Sequence, residues 1–325
     1  MRSIYLFLGF VIMVSAPGFG LDREKYEFTL GLGSGLYYGT SHEISYQGGR
    51  SDQYLSELQW EIKPLFLVHL NASLGPRKTY RRRAFFADLD VGIGVPAETG
   101  VMEDRDWLPN STVPGSLSLF SSHENHTKIA VTAGGSSGIS FPLGSWFFIR
   151  PLIALDYMYF KWEGRNGYLQ YGPSSSDLNN VDRPDNKPWN PSWPRSSIAG
   201  KGITFEQHWF ILSPGVRFGF NLNALSLECS FRITPLVFCY SVDNHHLRGL
   251  VFREFMFFGI YLEPQLKLGY DLGRVRLEGF AAYRYISETR GFAKSADADG
   301  TYYHGYVAGA AFRAFRGGLT ASYVF

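Results

Sequence analysis

Leu319-Thr320-Ala321-Ser322-Tyr323-Val324-Phe325 ends the chain. Leu319, Ala321, Tyr323 and Phe325 are apolar or small at every second position, with Thr320, Ser322 and Val324 between them. Period-two alternation puts one set on each face of a β-strand. A last strand that stops on an aromatic is how bacterial outer-membrane barrels end. The other terminus agrees. Met1-Arg2 leads into an apolar run, Ile4 to Ala16, followed by Gly18-Phe19-Gly20. That is the layout of a secretory signal peptide. Residues 1–20 are expected to be the leader, and 21–325 one barrel domain.

Composition fits an exported barrel. Aromatics make up 17% of the chain, enough for a girdle at each membrane interface. Past the leader no apolar run reaches the ~20 residues a membrane helix needs. A net charge of +2 gives no ground for a nucleic-acid partner. Cys229 and Cys239 lie ten apart on one expected strand. At ~3.3 Å per residue they are too far apart to bridge, so free thiols and no metal or redox centre are expected.

Ten long segments alternate with period two, predicting an all-β, ten-stranded antiparallel transmembrane barrel. In the first, Phe28, Leu30, Leu32 and Leu36 face lipid, with Gly39, Ser41 and Glu43 inward. In the second, Leu58, Trp60, Ile62, Phe66 and Val68 point out and Glu57, Gln59, Glu61 and Lys63 point in. In the third, Ala87 to Ile93 supply the outer set and Asp88, Asp90, Gly92 and Gly94 the inner. In the ninth, Arg276, Glu278, Arg284 and Glu288 are assigned to the lumen. Several segments exceed the ~9–11 residues that cross a bilayer, so the barrel is expected to project beyond the outer leaflet. Long connections at 47–54, 108–126, 172–202, 246–251 and 291–302 are placed outside the cell.

Two clusters carry chemistry. Met102-Glu103-Asp104-Arg105-Asp106-Trp107 ends the third strand, and Asp104 and Asp106 share the inward parity of Asp88. Two close carboxylates repel, and one pKa rises. The plainer reading is an acidic pair at a loop end or an incidental cation site. Ser241-Val242-Asp243-Asn244-His245-His246 ends the seventh strand. Asp243 and His245 share a face, and a carboxylate beside an imidazole prepares a general base. The plainer reading is a polar strand end above the membrane. Odd positions from Leu225 to Ile233 face lipid, so Asp243 and His245 turn inward only if the strand slips by one residue. Pro235 is the expected place for that slip. Asp297-Ala298-Asp299-Gly300 is a turn rather than a calcium loop, lacking the closing glutamate.

Asp-x-Asp-Trp followed some 140 residues later by Asp-x-His, at the outer ends of strands three and seven, resembles the omptins, ten-stranded outer-membrane endopeptidases. Gly39 to Glu43, Gly48-Gly49-Arg50 with Ser56-Glu57-Leu58-Gln59-Trp60, and Pro114-Gly115 with Ser121 and His123 are similar to omptin segments in the same order. The resemblance implies that His245 is the general base, that Asp243 orients it, and that Asp104 and Asp106 complete a water-activating site. Neither cofactor nor metal is implied. Ser121 matches a serine in that family but is assigned here to loop structure. Glu43 would line a pocket for a basic side chain, with Ser241 where the family usually has a second acid and Leu119 where some members have another. The partners implied are therefore peptides or proteins with basic residues, with the preference for paired basic residues in question.

Omptins also bind lipopolysaccharide through basic groups on the outer wall. The matching positions here are Tyr159 and His208, so no lipopolysaccharide requirement is carried over. The resemblance implies a monomer in the bacterial outer membrane with its site facing the cell exterior. A reading of another class is a non-enzymatic adhesin or structural barrel using loop 172–202, with Trp189 and Trp193, as its contact surface.

Overall fold

The computed structural model describes residues 22, 24–47, 53–109, 111–173, 187–297 and 302–325. The expected leader lies outside them, as do Gly48-Gly49-Arg50 and most of Asp297-Ala298-Asp299-Gly300. The strands are β1 (Tyr26–Tyr46), β2 (Tyr54–Pro76), β3 (Ala84–Gly94), β4 (Ala97–Asp106), β5 (Leu119–Leu143), β6 (Phe147–Gln170) and β7 (Ser196–Ser197). They continue as β8 (Lys201–Leu222), β9 (Leu225–Thr234), β10 (Val237–His245), β11 (Leu250–Phe257), β12 (Tyr261–Leu272), β13 (Val275–Asp297) and β14 (Tyr302–Val324).

Three pairs are single walls interrupted once: β3 with β4, β9 with β10, and β12 with β11. Counted so, and with the two-residue β7 set aside, ten antiparallel strands form a ring, closed where β1 pairs β14 from Thr29↔Val324 to Ser45↔Ala308. Phe325 packs its ring 5.5 Å from that of Phe28, so the terminal aromatic caps the seam. The turns at one end are tight. Asn223 and Gly273 adopt left-handed φ of 54° and 69°, as two-residue hairpin turns require. The longer connections gather at the other end.

The parity of the sequence holds inside the membrane band and fails above it. Leu32, Phe66, Ile153, Leu268 and Leu319 stand exposed on the outer wall, where lipid covers them. Higher up the second-strand assignment is overturned. Leu58, Trp60 and Ile62 are buried inside the barrel, while Glu57 lies on the outer wall against His42. Lys63 and Glu61 pair with each other there. An extra residue in β2, at Lys63-Pro64 opposite Tyr37–Gly39, shifts the register and exchanges the two faces. Comparable shifts occur in β5 between Thr127 and Ile129 and in β13 between Ile286 and Thr289. The latter turns Glu288, expected in the lumen, toward the hydroxyls of Tyr46 and Tyr54. The slip expected at Pro235 is present, as the break between β9 and β10. Below it Phe231 and Ile233 are exposed; beyond it Cys239, Ser241, Asp243 and His245 are buried.

These shifts let the barrel change solvent. Within the membrane, apolar side chains must face out. In the projecting part water lies outside, so the apolar side chains turn in and form a core. Trp60 stacks on Trp162 at 6.0 Å and on Phe205 at 5.6 Å, and Phe160 on Trp162 at 5.1 Å. This aromatic layer fills the lumen, so the barrel is not an open pore at that level. Beneath it, Glu263 meets Arg284 and Arg232 at 2.5 Å and Arg316 at 3.3 Å, with Asp156 against Arg232 and Arg284. Above it lies the site.

Candidate active site

Register places every proposed side chain. Glu43 on β1 stands opposite Leu58 on β2, Leu58 opposite Asp104 on β4, and Asp104 opposite Ser121 on β5. On the far wall Asp243 lies between Phe205 on β8 and Phe252 on β11. The β4 and β10 walls are four strands apart one way round the ring and six the other, so their inward side chains confront each other across the lumen.

Asp243 is 1% exposed. Its Oδ2 lies 2.5 Å from His245 Nε2. With that nitrogen donating, the proton-accepting nitrogen of His245 is Nδ1. Arg248, in the turn beyond β10, donates to Nδ1 at 2.6 Å, and the edge of the His245 ring meets Phe252 at 5.2 Å. Opposite, the Ser56 hydroxyl donates to Asp104 Oδ1 at 3.2 Å. Burial, and then the Asp104 charge beside it, push Asp106 up to about 8, against a lowering influence from Arg248. At neutral pH Asp106 therefore keeps its proton. Arg248 thus reaches both walls, touching His245 on one and influencing Asp106 on the other.

Glu43 is buried between the two couples. Burial, with Asp243, Glu254 and Asp104 near it, holds its carboxyl well above the usual range. Ser241 donates its hydroxyl proton to Glu254 Oε2 at 2.7 Å. Glu254, absent from the sequence reading, is wholly buried beside it. Only strand pairing joins the two, and thirteen residues of chain separate them.

Ser121 lies in a strand rather than a loop, because β5 begins at Leu119, and it is buried beside Asp104 of β4. His123 Nδ1 donates to the Asn166 carbonyl at 2.9 Å, leaving Nε2 to accept from the Ser121 hydroxyl at 3.0 Å. Burial lowers the His123 pKa, which keeps the ring neutral. Ser121 and His123 are two apart on one strand, and that spacing was the sequence signal for the pair. Leu119 is buried. On the outer wall the Tyr159 ring stacks 4.4 Å from that of His208, and the Tyr157 hydroxyl lies 2.9 Å from His208 Nδ1. These outer-wall positions hold an aromatic cluster rather than basic groups. Trp189 packs 5.2 Å from Phe120 and its amide bonds to the Leu117 carbonyl, so this part of loop 172–202 folds down onto the rim. Among the described residues no cluster of histidine, cysteine and acidic side chains is arranged to hold a metal.

Comparison with known proteins agrees with the barrel fold. The chain is 21% identical over 235 residues to the plasminogen activator of Yersinia pestis, a match covering 70% of this chain and 65% of that protein, just under two thirds of its length. The crystal structure of the outer membrane protease OmpT from Escherichia coli superposes with a TM-score of 0.79 at 14% identity, covering 96% of this chain and 99% of that one. At that identity the likeness establishes the fold. The Omptin family model matches residues 24–325, and the chain belongs to the omptin family of bacterial outer-membrane barrels, with its site at the extracellular end.

Proposed function

We propose that this barrel is a cell-surface endopeptidase that cleaves peptides next to basic residues with a water molecule activated by Asp243 and His245. The observation that supports it most is a buried carboxylate on an imidazole, on the wall across the lumen from a second acid couple. Asp243 fixes the tautomer. His245 Nδ1 takes a proton from water as its oxygen attacks the scissile carbonyl carbon, and returns it to the leaving amine. Arg248 must leave Nδ1 for water to enter. Asp106, protonated at neutral pH, donates to the developing oxyanion, and Asp104 holds the attacking water. Glu43 on β1, with Ser241 on β10, receives the basic side chain.

The Asp106 proton gives this scheme an alkaline limit. Below about pH 8 the group is a neutral donor; above it the carboxylate repels the oxyanion. The kcat/KM of the wild-type barrel is expected to fall as pH rises through 8. In Asp106→Asn, whose amide cannot lose a proton in this range, the slower reaction has no such limb. A pH–rate profile identical in wild type and variant would remove Asp106 from that role.

The Ser121–His123 contact favours a second mechanism, in which Ser121 attacks and forms an acyl-enzyme. Ser121→Ala separates the two. Under the water mechanism it keeps kcat within about tenfold; a loss of more than about a thousandfold, with a pre-steady-state burst in the wild type, would establish the serine instead.

A further inference from the structure

Elsewhere inside this barrel buried carboxylates meet cations: Glu263 has three arginines, Asp156 two, and Asp88 has Arg217 at 2.9 Å. The outer end is different. Glu43 Oε2, Asp243 Oδ1 and Glu254 Oε1 are all buried, and none meets a cation among the described residues: Glu43 and Asp243 lie within hydrogen-bond reach of each other's carboxyls, and Glu254 has the hydroxyls of Ser241 and Tyr306. They come from β1, β10 and β11, and Glu43 lies within electrostatic reach of both others. Three buried carboxyls in one place without a cation are costly, since buried charges are ordinarily paired.

The surrounding groups define what could satisfy them. Ser241 uses its hydroxyl on the other oxygen of Glu254, and Tyr306 lies against the same carboxyl from β14. Cys239 and Met256, paired in register and both fully buried, close the inner side. Ala293 of β13 faces Glu254 with no charge at all. Arg248, in the turn beyond β10, is engaged with His245. With no metal-holding cluster among the described residues, the fitting occupant is an organic cation carrying several donors. A guanidinium presents five N–H groups in a planar fork and can bridge carboxylates on different strands; an ammonium offers three donors from a single point.

We propose that Glu254, reaching in from the strand beside Ser241, is a specificity-determining residue. With Glu43 it clamps a guanidinium, so the site selects arginine over lysine in the residue it holds. The inference rests on the peptidase reading for its activity data and on binding for the rest. Burial and the neighbouring Asp243 push Glu254 up to about 8. Glu254 therefore holds a proton at neutral pH, which an entering cation displaces.

The test uses the purified barrel refolded in detergent and three peptides that differ only in carrying arginine, lysine or citrulline at the pocketed position. Wild type is expected to favour arginine over lysine at least tenfold in kcat/KM and to spare citrulline. Glu254→Gln raises KM for the arginine peptide about 10–100-fold, the worth of a charge-assisted bond. It leaves kcat within a few fold and levels the two basic peptides. Ser241→Asp combined with Glu254→Ser, which moves the acid to the facing strand, restores part of the preference; this pair also covers the case in which Glu254→Gln fails to fold. Equilibrium binding of the same peptides to His245→Ala gives a readout that needs no turnover. If wild type cuts nothing yet His245→Ala binds the arginine peptide through Glu254, the peptidase reading fails and the pocket stands. Binding or KM unchanged by Glu254→Gln, or no arginine binding at all, overturns the pocket whatever the activity.

Discussion

Asp243→Asn and His245→Ala each lower kcat for an arginine-containing peptide by about 10²–10⁴-fold, the usual contribution of a positioned general base, while the barrel still runs as a folded, heat-modifiable band. The two losses are expected not to add. An imidazole without its carboxylate is free to take the wrong tautomer, and a carboxylate without the imidazole has no proton to direct, so the double variant is no slower than the worse single one. Steady-state kinetics on all three variants, with KM measured separately, decide the matter. Asp243 and His245 act on the reacting water, so kcat falls and KM moves little. Full activity in both single variants would dissolve the catalytic assignment. The adhesin reading would then gain ground, and with it a test of loop 172–202: deleting that loop should remove surface binding and spare the barrel. The described part of that loop packs on Phe120 and Leu117, which argues for a rim rather than a reaching arm.

The sequence yielded the strand count and the membrane band because a lipid-facing charge costs about 2–4 kcal/mol at the bilayer midplane. That cost makes parity nearly obligatory there. Above the band the same alternation persists with its meaning reversed. Leu58, Trp60 and Ile62 read as a lipid face, yet they are the core, because nothing in period-two spacing says which face water touches. Pro235 could be recognised because Asp243 and His245 demanded a slip. Pro64 offered no such contradiction, since Glu57 to Lys63 looked acceptable in a polar lumen. The Asp243–His245 and Asp104–Asp106 pairs were legible because each is local, two residues apart on one strand. Ser121–His123 is equally local, but the Pro and Gly of Pro114-Gly115 just before it read as a loop that hides the start of β5 at Leu119. Glu254 and Arg248 were not legible. One depends on the β10–β11 register, the other on the course of the turn after His245, and neither follows from local spacing.

Glu263→Gln should destabilise the barrel more than any change at the catalytic site. Glu263 accepts from Arg232 and Arg284 at 2.5 Å and from Arg316 at 3.3 Å. Its side chain is fully buried, and the three arginines come from β9, β13 and β14. Removing this carboxylate leaves Arg232 and Arg284 to share Asp156 and takes from Arg316 its ion pair. Breaking a buried ion pair from one side costs about 3–5 kcal/mol, because the partner is left charged and unpaired. The penalty here falls on strands that meet across the lumen, so the denaturant midpoint drops and the heat-modifiable band converts at lower temperature. Glu263→Gln with Arg284→Gln, which removes charge from both sides, should recover part of the loss, since replacing both partners costs less than orphaning one. Equal midpoints for wild type and Glu263→Gln would mean that water already solvates these arginines. The aromatic layer of Trp60, Trp162 and Phe205 above them would then be the element that closes the lumen beneath the cleft.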